Sequence, residues 1–120
     1  MLEVRFYRTR LGDCPVEEFL DELSGKQAQK VVWVLRLIGE LDSVPSQYLK
    51  KLADTDDLWE VRAQHGGDTF RLLGFLDGLR LVLTSGFAKK TEKTPPREIA
   101  LAEKRKQDYM SRRHEHERSH

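Results

Sequence analysis

The 120-residue sequence contains a single cysteine, Cys14, and no long apolar run. One thiol makes neither an internal disulfide framework nor a cysteine-based zinc cage. A membrane-spanning helix needs roughly 18–20 apolar residues in a row. Here even the short run Leu79–Leu83 is interrupted by Arg80. The opening stretch MLEVRFYRTR has no apolar h-region, so no secretory signal and a cytoplasmic location are expected. The sequence also lacks the Gly-x-Ser-x-Gly elbow, the phosphate loop and the dinucleotide fingerprint. No Asp/Glu cluster falls at ligand spacing within one element, so no metal or other cofactor is expected. The length admits one domain with one modest core.

What is present is patterned. Apolar residues make up 38% and charged residues 34%, hydrophilic for a globular domain, yet the apolar positions recur regularly, unlike those of disordered chains. The net charge of +1 hides an asymmetry: residues 1–86 carry 11 basic and 14 acidic side chains, whereas residues 87–120 carry 10 and 6. A basic last third behind a slightly acidic body suits either nucleic acid or a merely solvated C-terminal helix and tail.

Alternation of Leu2, Val4 and Phe6 predicts a half-buried strand. Pro15, with Glu17 and Glu18 behind it, predicts a helix whose stripe is Val16, Phe19, Leu20 and Leu23, with Cys14 packing or capping at its start. A second helix is predicted over about Lys26–Leu41, forming an αα-hairpin with the first. Residues 42–57 read as a loop with one helical turn. Period-two alternation then predicts strands at Leu58–Gln64, Thr69–Leu76 and Leu79–Phe87, separated by the turn signals Gly66-Gly67 and Asp77-Gly78. Thr94 as N-cap and Pro95 start a last helix reaching about Met110. The expected fold is α+β, in the order β-α-α-β-β-β-α, with helices packed on a mainly antiparallel sheet. Residues 1–110 form one domain and residues 111–120 a basic, His-containing, flexible tail.

The turns carry a register argument. A Gly66-Gly67 turn places Arg62 opposite Arg71, and an Asp77-Gly78 turn places Thr84 opposite Arg71. Gln64, Thr69 and Gly86 form the next row. The other face, with Trp59, Val61, Ala63, Phe70, Leu72, Leu81 and Leu83, is the core side. Two arginines face to face repel. Either an anion such as phosphate sits between them, or each pairs with a carboxylate such as Glu60 or Asp68. Lys89, Lys90, Thr91, Lys93 and Thr94 follow the last strand, with Arg97 just beyond, and make either a phosphodiester cradle near the last helix's N-terminal amides or a solvated loop. His65 at the hairpin tip reads as a proton shuttle or an exposed turn residue. His114, His116 and His120 lie in the tail, where only a weak adventitious metal site is expected.

The run Leu58-Trp59-Glu60-Val61-Arg62, then Phe70-Arg71, then Gly86-Phe87-Ala88-Lys89-Lys90-Thr91-Glu92-Lys93-Thr94-Pro95 with Glu98-Ile99-Ala100, resembles the RelE/HigB-like toxins of type II toxin–antitoxin systems. More narrowly it resembles their phage-derived branch, which carries a Gly-Phe-x-Lys-Lys-Thr-x-Lys-Thr-Pro signature. Pro15–Leu20 fits as well, and the likeness covers nearly all of residues 1–110. The resemblance implies a metal-independent endonuclease that cuts mRNA on the ribosome, the 2′-hydroxyl attacking the adjacent phosphate to leave a 2′,3′-cyclic phosphate. Arg62, Arg71, Lys89 and Lys90 would stabilise the phosphorane, with Lys89, Lys90, His65 and Tyr109 as candidate acid and base. Lys93, Thr91 and Arg97 would bind RNA. It also implies a cognate helix-turn-helix antitoxin. The same fold serves gyrase-inhibiting toxins acting by protein contact, and a non-catalytic RNA-binding module is a third reading.

Overall fold

A computed structural model describes residues 1–89 and 93–119. Strand β1 (Glu3–Phe6) comes from the N-terminal alternation, and helix α1 (Pro15–Glu22) from Pro15 with two acids in its first turn. Cys14 stands at its N-cap, buried and making no side-chain cap bond, so it packs. Helix α2 (Gly25–Glu40) opens on a capping box. The Ser24 hydroxyl accepts from the Gln27 N–H, and the Gln27 side chain accepts from the Ser24 N–H. Strands β2 (Leu49–Lys51), β3 (Leu58–His65), β4 (Asp68–Asp77) and β5 (Arg80–Lys89) precede helix α3 (Pro96–Ser119).

The mixed α+β class is as expected; element ends move by one or two residues, and β2 and both ends of α3 differ in ways that have a physical reason. Strand β2 lies inside the segment read as a loop. Leu49 pairs with Val61 and is buried, and with Val44, Tyr48 and Leu52 packed against the cores it ties a polar stretch to the sheet edge. Helix α3 starts at Pro96, because Thr94 turns its hydroxyl elsewhere and the Pro95 carbonyl accepts from the N–H groups of Glu98 and Ile99. It also continues beyond Met110. Arg112 pairs with Asp108 at 2.9 Å, Arg113 binds Asp77, and Arg10 meets Glu115 at 3.3 Å. Ion pairs hold a stretch that has no apolar period.

The sheet order is β1-β5-β4-β3-β2, with β1 parallel to β5 and the other pairs antiparallel. On one face α1 and α2 cover Val61, Ala63, Phe70, Leu72, Leu81 and Leu83, with Trp59 partly buried beside them, which is the expected core side. The second face has its own core: Leu58, Leu73, Phe75 and Val82 pack with Tyr7 and with Ala102 of α3. Strand β4 is therefore apolar on both sides, as a strand sandwiched between helical layers must be.

Register differs in the second hairpin. Gly66-Gly67 links the paired residues His65 and Asp68 as expected, but Asp77 stays in the ladder opposite Arg80, so the turn residues are Gly78 and Leu79. Asp77 is kept there because it is buried and accepts hydrogen bonds from Tyr109 and Arg113. A bulge between Leu73 and Gly74 shifts the register again, and a Cβ on Gly74 would run into the Val82 carbonyl oxygen.

Candidate functional site

The second face is covered only as far as α3 reaches. Beyond it a groove of about 720 Å³ opens, lined by Lys50 and Lys51 of β2, Glu60 and Arg62 of β3, Arg71 of β4, Lys93, Thr94 and the flank of Ile99. Arg62 lies directly opposite Arg71, the pairing that the Gly66-Gly67 turn demands. Glu60, on the same face two residues before Arg62, reconciles them. Arg62 Nε donates to Glu60 Oε1 at 3.1 Å, and Arg71 Nη1 donates to that same oxygen. The Thr94 hydroxyl donates to Oε2 at 2.6 Å. Glu60 is 1% exposed and Arg71 8%. Of the two carboxylates considered for the arginines, both arginines take Glu60, while Asp68 meets the Gln27 side chain at 3.5 Å.

The balance of charge is left positive. Burial by itself would raise the Glu60 carboxyl. The Thr94 hydrogen bond, the Arg71 charge and the hydrogen bonds from Arg71 and Arg62 outweigh it and hold the group below its ordinary value. Glu60 is thus an anion with its oxygens occupied. Among the described residues that line the groove, five are cationic, Lys50, Lys51, Arg62, Arg71 and Lys93, and two are acidic, Glu60 and Asp54. Among the described residues Arg71 Nε, like Arg112 Nε away from the groove, is buried without a hydrogen-bond partner. An unsatisfied buried donor of a charged group is costly, and an anionic ligand would remove that cost.

Other expected positions distribute unevenly. Thr84 is not in the arginine row: Phe87 lies opposite Arg71, and Thr84 is fully buried, its hydroxyl donating to the Leu73 carbonyl at 3.1 Å. The one-residue bulge and the displaced turn together account for that shift. Likewise the row beyond is Gln64, Thr69 and Lys89, not Gly86. Gly86 sits where a Cβ would overlap the Phe19 ring. Lys93 reaches the groove, whereas Lys90 and Thr91 lie outside the described residues. Arg97 is exposed in the first turn of α3 and does not line the groove.

His65, at the end of β3, falls by alternation on the opposite face from Arg62. Tyr109 is remote. Its hydroxyl donates to Asp77 Oδ2 at 2.8 Å, and its ring packs edge-on against Phe75 at 5.2 Å. Asp77 is six residues along β4 from Arg71, about 20 Å at strand rise. Burial and then the Asp77 bond push the Tyr109 hydroxyl pKa up. His114 is exposed on α3, and the His116 side chain and His120 lie outside what is described. Among the described residues no group of His, Cys, Asp and Glu comes together to hold a metal ion.

Sequence reading named Glu60 only as one possible partner and took Thr94 for a cap. The signal was present, since Glu60 and Arg62 share a strand face and the turn brings Arg71 beside them. Lys50 and Lys51 were missed because the short pattern around Tyr48–Leu52 reads as a helical turn, whereas it forms strand β2.

The family model described as phage derived protein Gp49-like (DUF891) matches residues 18–107, which include α1 from Glu18, α2, the whole sheet except β1, and the first half of α3. The chain belongs to that Gp49-like family. No curated protein matches it. The matched span of this Gp49-like chain contains every residue that lines the groove. Among the described residues no helix is long and apolar enough to cross a membrane.

Proposed function

We propose that this Gp49-like chain is the toxin of a toxin–antitoxin pair and a metal-independent, ribosome-associated mRNA endonuclease. One observation carries the reading: two arginines face each other across a buried carboxylate in a groove whose cations outnumber its acids, and one arginine keeps a buried free N–H. The motif likeness to RelE/HigB-like toxins supports the same conclusion. The message's 2′-oxygen attacks the adjacent phosphorus, the bond from phosphorus to the 5′-oxygen breaks, and a 2′,3′-cyclic phosphate and a 5′-hydroxyl result. Negative charge grows on the non-bridging oxygens in the transition state, where preorganised guanidinium donors stabilise it. Arg71 and Arg62 fill that role, and Lys93, Lys50 and Lys51 neutralise neighbouring phosphates. Glu60 orients the two arginines. Proton transfer falls to Lys89, whose backbone ends β5 opposite Thr69, and to Lys90 beside it. The partner that neutralises the toxin is a small helix-turn-helix antitoxin.

The test uses programmed ribosomes and a message with a single 2′-deoxy nucleotide at the A-site cleavage position. The all-ribo message should be cut to a cyclic or 3′-phosphate end, with chemistry insensitive to EDTA when ribosomes are kept intact by other means. The 2′-deoxy message should remain whole. Cutting of both at the same bond refutes the mechanism. No cutting of either, with blocked DNA supercoiling instead, assigns the protein to gyrase inhibition.

A further inference from the structure

Several cations of the basic last third are engaged by the fold. Arg105 donates to the Thr84 carbonyl at 2.8 Å and Lys106 to the Asp56 carbonyl at 2.7 Å, while Arg112 and Arg113 bind Asp108 and Asp77. By contrast Lys30 and Arg36 of α2 and Lys50 and Lys51 of β2 make no ion pair among the described residues. These four cations are not scattered. Lys50 lies opposite Glu60 in the β2–β3 ladder and lines the groove with Lys51. Tyr48 comes just before β2, its carbonyl accepting from the Arg62 N–H at 2.9 Å, so it prolongs the same sheet edge. Its ring meets the Trp33 ring edge-on at 5.8 Å. Trp33 is 44% exposed, with Lys30 Nζ 4.3 Å above its ring. It lines a second cleft of about 390 Å³ with Val32 and Arg36. An aromatic platform therefore continues the cationic groove round the β2 edge.

The exposed part of the Trp33 indole, set among cations, offers the pairing that single-stranded nucleic acid uses: phosphates meet the charges and a base stacks on the ring. We propose that RNA held in the groove runs over the β2 edge and stacks a base on Trp33, with Lys50, Lys51 and Arg36 against its phosphates. This rests on the RNA reading given above and extends it to a path outside the cleavage groove.

The probes are two fluorescein-labelled, 2′-O-methylated, unstructured RNAs, one of three nucleotides and one of about twelve, the longer one spanning the 30 Å breadth of the domain. Anisotropy should show the wild-type protein binding the longer strand more tightly. Trp33→Ala should weaken the longer strand roughly 5- to 150-fold, the worth of one stacked base, and leave the trinucleotide unchanged. Trp33→Phe should restore most of the loss. Arg36→Ala and Lys51→Ala should each lower the salt slope by about 0.7. If wild type binds the longer strand and Trp33→Ala binds it equally well, the path is wrong while the RNA reading stands, and the patch belongs to a protein partner. If wild type binds neither strand, both fail.

Discussion

Removing Glu60 is the sharpest perturbation the groove offers. An exposed strand residue usually costs within about 0.5 kcal/mol to replace. Arg71 is not one, because it is 8% exposed and its guanidinium binds a carboxylate that is 1% exposed. Breaking a buried pair from one side leaves the other charge uncompensated, at about 3–5 kcal/mol. That is a large part of the roughly 5–15 kcal/mol that holds a domain folded. Glu60→Gln and Arg71→Met should each cost that much in urea denaturation, read as a lower midpoint at unchanged slope. Glu60→Leu combined with Arg71→Met should cost at least 2 kcal/mol less than the sum of the singles. Matching apolar groups remove both desolvation penalties, and Arg62, with its side chain 32% exposed, turns to water. Additive costs, or single costs under about 1 kcal/mol, refute the buried-pair account.

The same carboxylate sets an acid limb. Its folded pKa is depressed, so the stability it contributes is fully present above the unfolded glutamate value of about 4.3 and is lost as pH falls through the lower folded value. Glu60→Gln should flatten stability against pH below about 4.3 relative to wild type.

Three further outcomes follow from particular contacts. Thr94→Val removes the donor to Glu60 Oε2, should cost about 1 kcal/mol, and should move the acid limb of stability to higher pH, as chemical denaturation at stepped pH would show. Tyr109→Phe loses the bond to Asp77 for about 1 kcal/mol but should leave RNA cleavage at the wild-type rate, and a large loss of rate at unchanged stability would return Tyr109 to the chemistry. Gly86→Ala forces a methyl into the Phe19 ring and should cost about 1–3 kcal/mol by thermal or urea unfolding, with no cost if α1 shifts freely.

Legibility in the sequence divides along physical lines. Local signals were enough for α1, α2 and the first hairpin, because Pro15, Ser24 and Gly66-Gly67 each act within a few residues. Arg62 opposite Arg71 was legible for that reason. The second hairpin was not, since its register depends on Asp77 being held in the ladder by Tyr109 and Arg113, more than thirty residues away. The bulge at Gly74 added a shift that no turn rule contains. Strand β2 and the far end of α3 were lost for a related reason: one is three residues long with a single buried side chain, Leu49, the other rests on ion pairs that have no period. In the site, pairwise reasoning found two arginines but could not show that a single carboxylate serves both and also draws in Thr94 from before α3.

That shared carboxylate decides how the groove works. Two guanidinium groups opposite one another would splay if nothing anionic stood between them. A carboxylate for each would cancel their charge and leave no attraction for a ligand. One carboxylate for two arginines fixes their positions and leaves a net positive charge. Arg71 Nε stays buried without a hydrogen-bond partner among the described residues. Glu60 is ill suited to take a proton, because three donors occupy its oxygens and lower its affinity for one. The arrangement therefore separates two tasks that other carboxylates combine. In the proposed reaction Glu60 would set the field at the phosphate and leave proton transfer to another group.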